Sequence, residues 1–183
     1  GITMLFLFGT PILAAFSNYL IPLLIGADDM AFPRINAIAF WLLPPGALLI
    51  WAGFFPIPDL IPAQTAWTMY TPLSAGEGMG NQMNAGVDLM LLGLHLTGVS
   101  ATMGAINFIA TIFTERGEEV SWANLDIFSW TVLTQSGLIL FAFPLLGSAL
   151  VMLLFDRNFG TTFFVGEGGA MLWQHLFWFF GHP

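Results

Sequence analysis

Long apolar stretches alternate with short polar segments along the whole chain. Four stretches reach the about 20 residues that a helix needs to cross a bilayer, and none contains a lysine or arginine: Ile2–Ile25, Ala37–Phe55, Leu89–Phe113 and Phe128–Phe155. A fifth stretch begins near Ala170 and continues to Pro183. The pattern predicts an all-α polytopic membrane protein in which residues 1–183 form a single transmembrane domain.

Two features inside these stretches bear on how the helices pack. Neighbouring membrane helices can satisfy the carbonyl groups that proline leaves free, so we expect helices to continue through the internal prolines, Pro11, Pro22, Pro44, Pro45 and Pro144. Small side chains let two helix backbones approach closely. The Leu89–Phe113 helix is therefore predicted to be central in a bundle, because small residues share one of its faces: Thr97, Gly98, Ala101, Gly104 and Ala105.

The three arginines indicate an orientation in the membrane. Arg34 and Arg116 lie in the first and third polar connections, and Arg157 lies in the fourth. Because basic residues concentrate in cytoplasmic connections, the first and third connections are predicted to face the inside. The four predicted connections are Gly26–Asn36, Pro56–Asp88, Thr114–Asp126 and Asp156–Gly169.

Composition narrows the class of protein further. Only 8% of the residues are charged and the mean hydropathy is +0.82, whereas a soluble domain carries about 25% charged residues. Eleven acidic residues against three arginines give a net charge of −8, and most of the acids fall in the connections, which argues against nucleic acid as a partner and against docking of this segment on anionic lipid. Membrane lipid is the expected partner of the apolar stretches. The absence of cysteine excludes disulfides, iron–sulfur clusters and a thiolate copper site within this sequence.

Polar residues around the end of the first stretch allow two interpretations. The segment Asp28–Asn36 holds acids, a proline and an arginine, which is usual for a solvated turn. Alternatively, Asp29 collects protons at the mouth of a polar channel, since Asn18 lies 11 residues earlier, about 16 Å along a helix. Asn107 and Ser100 share one face of a later helix. Amides and hydroxyls in membrane helices usually join neighbouring helices, so the residues alone leave both interpretations open.

The three histidines and two of the tryptophans are the other candidates for chemistry. His175 and His182 are seven residues apart, about 10 Å along a helix, so they do not bind one metal ion by themselves. A histidine in a membrane helix is usually hydrogen-bonded to a neighbouring helix, and this is the expectation for His95. Trp178 lies four residues before His182 and is expected to stack over the same patch. Trp67 is expected to anchor a connection at the membrane interface.

Other catalytic motifs are missing from the sequence. The glycine-rich segment Gly76–Gly80 lacks the Lys-Ser/Thr that would follow in a phosphate-binding loop. No nucleophile triad or thiol motif is present either. The residues by themselves predict a helical membrane protein with a candidate proton path and one candidate metal ligand.

Four motifs resemble one family. In chain order they are Leu24–Asn36, Gly104–Phe108, Asp156–Thr161 and Trp173–Pro183. They resemble subunit I of the haem–copper oxygen reductases, of the cytochrome c oxidase type. The resemblance covers essentially the whole chain, and it places these residues at the second to the start of the sixth helix of a twelve-helix bundle.

The resemblance implies a reaction, cofactors and partners. In this family dioxygen is reduced to water at a high-spin haem paired with copper, and electrons arrive through a low-spin haem. Protons are taken up from the inside, and some are pumped across the membrane. The implied partners are subunits II and III, cytochrome c or another electron donor, and dioxygen. The implied location is the plasma membrane of a prokaryote.

The resemblance also assigns roles to individual residues. Five belong to a proton pathway: Asp29 is its entrance, Asn18, Asn36 and Asn107 form an asparagine gate just above it, and Ser100 lies further along. Two belong to the oxygen site: His182 is a copper ligand, and Trp178 packs beside the site. Trp67 lies beside a haem propionate, near the exit side.

The sequence departs from the family pattern at several positions. Ala37, Ala39 and Ala101 stand where Asn, Ser and Ser are expected, so protons there must travel through water. Gly169 stands where many relatives have aspartate, and the Pro44-Pro45 pair has no counterpart in the pattern.

The sequence starts at Gly1 within an apolar stretch and stops at Pro183 within another. We therefore expect an internal fragment, with most haem and copper ligands outside it, that binds no haem stably and is inactive alone. Three alternatives remain open. A quinol replaces cytochrome c as donor; the chain is a membrane proton channel or secondary transporter; or it is a purely structural membrane subunit.

Overall fold

A computed structural model describes residues 1–75 and 85–182, and its regular elements are all helical. The segment Gly76–Gly80 therefore lies outside the described residues. Among those described, four helical segments are long and apolar enough to cross a membrane, so the predicted all-α membrane architecture is confirmed. The helices are α1 (Thr10–Ile25, preceded by a π-helical segment Thr3–Gly9), α2 (Pro33–Trp51, followed by a 3₁₀ turn Ala52–Phe54), α3 (Ala85–Thr114), α4 (Ile127–Phe159) and α5 (Gly169–Gly181).

Helix α2 begins earlier than the apolar pattern predicts. It starts at Pro33 rather than Ala37, because proline fits the first position of a helix, where its missing N–H is not needed. Arg34 and Asn36 therefore lie in the first turn of a helix and not in a connection. Helix α2 also continues through Pro44 and Pro45.

Arg157 also lies in a helix and not in a connection. It stands in the last turn of α4, where its side chain is 1% exposed. Its Nε donates to a carboxylate oxygen of Asp88 at 2.6 Å, and its Nη1 donates to the Ser74 carbonyl at 2.6 Å. The second connection is shorter than predicted, because Asp88 lies in the first turn of α3. Arg157 thus neutralises a neighbouring acid at the end of α4.

Breaking this ion pair is expected to destabilise the protein. Replacing Arg157 with alanine removes the cationic partner of the largely buried Asp88 carboxylate, which keeps only the Asn158 Nδ2 donor at 3.3 Å, and removes a donor to the Ser74 carbonyl. Breaking a buried ion pair in this way costs about 3–5 kcal/mol in other proteins. Equilibrium unfolding in mixed micelles measures the free energy of unfolding. The matched control is Arg34→Ala, since Arg34 is exposed. Equal losses in the two variants would show that the ion pair contributes nothing to stability.

Helix α3 is central among the described helices, as predicted, since it packs against α1, α2 and α4. The closest approach to α2 lies at Gly46 and Gly93. A Cβ added at Gly93 would stand 2.6 Å from the Gly46 carbonyl oxygen, a distance that no side chain allows. This close contact between α2 and α3 begins at Gly93, one helical turn before Thr97, the first of the small residues from which it was predicted. Gly98, one of those small residues, instead contacts Phe143 of α4.

Two buried clusters mark the two ends of the bundle. We call the end formed by residues 26–32 and 115–126 the Asp29 end; there the Gly117 N–H donates to the Ile25 carbonyl at 2.9 Å. We call the end formed by residues 56–75 and 160–168 the Trp67 end. The first cluster includes Ile21, Ile25, Met30, Phe108 and Ile112, and the second includes Met69, Leu91, Leu150, Trp173 and Phe177.

Candidate functional site

The loop that carries Asp29 is fastened to helix α3 by two side chains. The Ala31 N–H donates to the Thr111 hydroxyl at 3.0 Å, and the Phe32 N–H donates to the Asn107 amide oxygen at 2.9 Å. Asp29 itself is exposed, and its carboxylate accepts the Met30 N–H at 2.7 Å. These bonds fix the carboxylate at the rim of the bundle, because the backbone on its carboxyl side cannot move without breaking them.

Four of the five polar residues assigned to a proton pathway line one cavity of about 840 Å³. Asp29 lies in its wall, and Asn18, Asn36 and Ser100 contribute from α1, α2 and α3. Since a water molecule occupies about 30 Å³, the cavity has room for a chain of water molecules. Asn107 is not part of the lining.

The amides and hydroxyls of the pathway residues differ in whether the protein provides hydrogen-bond partners for them. The Asn18 Nδ2 donates to the Ala14 carbonyl at 2.9 Å, but its Oδ1 is buried and has no partner among the described residues. The Ser100 hydroxyl donates to the Ala39 carbonyl at 2.6 Å. A buried amide oxygen in a polar cavity normally accepts from water. Asn18 is therefore the lining residue best placed to bind a water in the cavity.

The cavity also contains polar residues that sequence reasoning missed. They are Thr10 and Ser17 from α1, Thr97 from α3, and Gln135 and Ser136 from α4. Ser136 is 2% exposed. The pair Gln135-Ser136 interrupts the apolar stretch of α4, and that interruption is the signal by which the sequence could have found them.

The other end of the cavity reaches helix α5. Phe6 and Phe143 belong to the cavity lining, and both rings contact Phe180, with centroids 5.6 and 4.9 Å apart. Phe180 lies two residues before His182. The cavity that begins at Asp29 therefore extends to the aromatic residues beside the end of α5.

Trp67 and Trp178 are brought together although they are far apart in the sequence. Their rings meet edge to face, with centroids 5.8 Å apart. The Trp178 Nε1 donates to the Tyr70 hydroxyl at 2.6 Å. Tyr70 has no assigned role in the sequence analysis, since only folding places it against α5. Trp178 is 36% exposed, so one side of this aromatic group remains accessible.

The segment around Trp67 is held in an unusual backbone conformation. Ala66 and Met69 have φ values of 55° and 49°, which costs on the order of 1 kcal/mol or more for a residue with a side chain. The Trp173 Nε1 donates to the Thr68 carbonyl at 2.9 Å, and the Ser74 hydroxyl donates to the Met69 carbonyl at 2.7 Å. These bonds hold the strained segment in place, and thereby position Trp67 beside α5.

His182 directly follows helix α5. Its backbone N–H donates to the Trp178 carbonyl at 3.0 Å, and its imidazole is exposed, with no hydrogen-bond partner among the described residues. A free imidazole beside an aromatic wall suits a copper ligand. Residues 1–75 and 85–182 contain no group of three or more His, Cys, Asp or Glu that could hold a metal. His182 can therefore supply one ligand to a metal whose other ligands come from elsewhere.

His95 differs from expectation. Its ring packs against Gly147 of α4, but its Nδ1 is buried without a hydrogen-bond partner in the described part of the chain. The expected hydrogen bond to a neighbouring helix is therefore not formed at this atom.

Comparison with known proteins identifies the family. The family model for cytochrome c and quinol oxidase polypeptide I matches residues 1–183. The chain belongs to this family. It is 77% identical to "Cytochrome c oxidase polypeptide 1" of Halobacterium salinarum and 46% identical to "Cytochrome c oxidase subunit 1" of Synechocystis. Both alignments cover the whole of the present chain.

Membership confirms the family that the four motifs predicted. Membership of this family agrees with the four helical segments that are long and apolar enough to cross a membrane, so the chain is part of an integral membrane protein. The chain spans 30% of the length of the Halobacterium relative and 32% of the Synechocystis relative. The comparisons lend no support to the alternative of a secondary transporter, since both relatives are named as oxidase subunits.

Proposed function

We propose that this chain is part of the catalytic subunit of a terminal respiratory oxidase. The whole protein would reduce dioxygen to water at a haem–copper centre with electrons from cytochrome c, coupled to proton pumping. Membership of the cytochrome c and quinol oxidase family supports this proposal, as do the names of the two relatives.

The cavity is the observation that carries the role of this segment. It connects an exposed carboxylate, Asp29, with the aromatic residues next to His182, through a mostly apolar lining that includes several amides and hydroxyls. Lining groups of this kind support a chain of water that conducts protons through a membrane protein. In the proposal, Asp29 collects protons, Asn18 and Asn36 hold the water above it, and Ser100 lies further along.

Asn107 has a different part in the proposed pathway. Its amide oxygen binds the backbone of the Asp29 loop, while its Nδ2 is buried without a partner among the described residues. It lies outside the cavity lining, so in the proposal it acts by positioning the entrance rather than by contacting the water.

The copper and haem sites would use three residues of this segment. His182, whose imidazole is exposed, would ligate copper as a neutral imidazole. Trp178 and Trp67 would pack beside the copper and beside a haem propionate. The copper and haems supply the electron transfer to dioxygen when they are bound, and most of their ligands would lie outside these residues. Within the segment, the chain's part is to hold the imidazole and to bring protons toward it.

Orientation and partners follow from the same proposal. Arg116 lies at the Asp29 end and Arg34 lies in the adjoining first turn of α2, whereas Arg157 lies next to Ser74 of the Trp67 end, so basic residues are more numerous on the Asp29 side. The proposal therefore places the Asp29 end inside, in the plasma membrane of a prokaryote, as the archaeal and bacterial relatives suggest. Oxidase subunits II and III would be its partners. The family includes quinol oxidases, and a quinol is the alternative donor.

The test is oxygen uptake by the intact, purified oxidase. We expect consumption of dioxygen with reduced cytochrome c, haem and copper present in the preparation, and acidification outside vesicles that contain the enzyme. Oxygen uptake with a quinol but not with reduced cytochrome c would show that a quinol is the electron donor, while the reduction of dioxygen to water would stand. A preparation with neither haem nor oxygen uptake would refute the proposal.

A further inference from the structure

Ser136, in the first half of helix α4, is buried, and its hydroxyl has no partner among the described residues. Other hydroxyl side chains of this helix behave differently: those of Thr131, Thr134 and Ser148 each donate to the carbonyl four residues earlier, at 2.8 to 2.9 Å. Ser136 is 2% exposed, and no such bond is found for it in the described part of the chain. Hydroxyls removed from bulk water normally find a hydrogen-bond partner, so a group outside the chain is expected here.

The cavity that begins at Asp29 supplies that partner. Ser136 forms part of its wall, next to the half-buried Gln135. The cavity measures about 840 Å³, and a water molecule occupies about 30 Å³. A serine hydroxyl offers one donor and two acceptor positions, so it can bind two neighbouring water molecules at once.

The buried cluster at the Asp29 end shows how deep in the cavity Ser136 lies. Ile21 of α1 and Val132 of α4 both belong to that cluster. Asn18 is three residues from Ile21, on the side away from the Asp29 end, and its Oδ1 is buried without a partner among the described residues. Ser136 is four residues from Val132, again on the side away from the Asp29 end. The two unpartnered groups therefore lie at similar depth, about one helical turn or 5–6 Å inside the cluster.

Contacts between α3 and α4 give the same depth. A Cβ added at Gly98 of α3 would lie 3.1 Å from the Phe143 ring of α4, and one added at Gly147 of α4 would lie 3.4 Å from the His95 ring of α3. The two helices are thus antiparallel. Continuing this register seven residues from Phe143 toward the Asp29 end puts Ser136 about level with residue 105 of α3.

Helix α3 offers the cavity only small apolar residues at this depth. Between Phe108, which belongs to the same cluster, and Ser100, its described lining residues are Ala101, Gly104 and Ala105. Ser100 lies eight residues from Phe108, about 12 Å along the helix. Water on this stretch of the wall must therefore be held from α1 and α4.

We propose that the Ser136 hydroxyl, together with the Asn18 amide oxygen, positions the pathway water one turn inside the cavity. This water would link the entrance at Asp29 with Ser100 two turns inside. The inference rests on the proton pathway of the proposed function. Protons move through the water while Ser136 keeps its own, so Ser136 is a positioning residue. Its hydroxyl serves the stretch where α3 has alanine and glycine.

Two substitutions of Ser136 in the intact oxidase separate a role of the hydroxyl from a role in packing. Ser136→Ala removes the hydroxyl with little change in volume, and Ser136→Thr keeps the hydroxyl and adds a methyl group. We expect proton uptake to fall about fivefold in Ser136→Ala, the size expected for losing one net hydrogen bond, and to be largely retained in Ser136→Thr. Uptake is measured with a pH indicator in vesicles that contain the enzyme, and the haem spectrum should stay the same in both variants.

A role in packing alone predicts the reverse order. Extra volume disturbs a packed core, so threonine would then be the harmful substitution and alanine the harmless one. That order, or normal uptake in Ser136→Ala, would overturn the proposal.

Ser148→Ala is the matched control on the same helix. Its hydroxyl donates to the Pro144 carbonyl at 2.9 Å, and it lies outside the lining of this cavity. We expect normal proton uptake in this variant. Equal slowing in Ser148→Ala and Ser136→Ala would overturn the proposal.

Asp29→Asn, measured alongside, separates this inference from the pathway on which it rests. Normal uptake in both Asp29→Asn and Ser136→Ala would refute the pathway, and the inference with it. Slow uptake in Asp29→Asn with normal uptake in Ser136→Ala would overturn only the role of Ser136. Slow uptake in both, with Ser136→Thr close to the wild-type enzyme, is the expected result.

Discussion

Replacing His182 with alanine in the intact oxidase is expected to remove the copper and leave the haems in place. Oxygen consumption should fall by more than about 100-fold, because even the loss of a residue that only supports a metal ligand costs about 10–100-fold in affinity or activity. Alanine cannot replace the imidazole, and no other histidine of this segment lies within one helical turn of it. Copper content is measured by elemental analysis, and the haems by their absorption spectrum.

His175→Ala is the matched control for this prediction. His175 stands on the same helix, seven residues before His182, and is also exposed. About 10 Å of helix separates the two, so His175 cannot ligate the same ion, and its loss should leave copper content and activity unchanged. Full copper occupancy in His182→Ala, or equal copper loss in both variants, would contradict the assignment of His182.

The second large effect is expected for Asp29→Asn. The amide has nearly the shape of the carboxylate and can still bond the Met30 N–H, but it cannot take up and release a proton. Turnover should fall by about tenfold or more. A group that transfers protons in a reaction contributes about 10²–10⁴-fold, but water at the cavity mouth still delivers protons slowly. Pumping should be lost, and the haem spectrum should stay the same because Asp29 lies at the opposite end of the bundle from Trp67.

The neighbouring acid provides the control for Asp29→Asn. Asp28 is exposed and precedes Asp29 directly, but it is not part of the cavity lining. Asp28→Asn changes the net charge by the same amount, so a general electrostatic effect would appear in both variants. Proton uptake is measured with a pH indicator in vesicles that contain the enzyme. Normal uptake in Asp29→Asn, or equal slowing in both variants, would remove Asp29 from the entrance.

The three alanines in the pathway region lie in the wall of the same cavity. Ala37, Ala39 and Ala101 line it and offer no hydroxyl, so a proton that passes them depends on water. The Ala39 carbonyl is already bonded to Ser100. The Asn18 amide oxygen is a buried acceptor in the lining without a partner among the described residues, so a water in the cavity would be expected to bind there.

The membrane helices and the family could be predicted from the amino-acid residues alone. Each membrane helix requires only a sufficient run of apolar residues, and this is a local property of the sequence. The four helical segments long enough to cross a membrane therefore agree with the four predicted stretches to within four residues at each end. The family motifs are likewise contiguous segments, and the family model matches the whole chain. The predicted bounds were wrong at some helix ends. Helix α2 begins at Pro33, before its apolar stretch begins, and α4 continues past the end of its apolar stretch to include Arg157.

Which polar residues share a site could be seen only in the folded chain. Asn18, Asn36 and Ser100 come from three helices and meet in one cavity with Gln135 of a fourth, whereas Asn107 of α3 turns to the loop. Tyr70 reaches Trp178 across more than a hundred positions, through a hydrogen bond between residues 108 apart. Hydrophobic periodicity indicates the buried face of each helix but not its neighbour. That neighbour is set by close contacts between backbones, such as the one at Gly46 and Gly93.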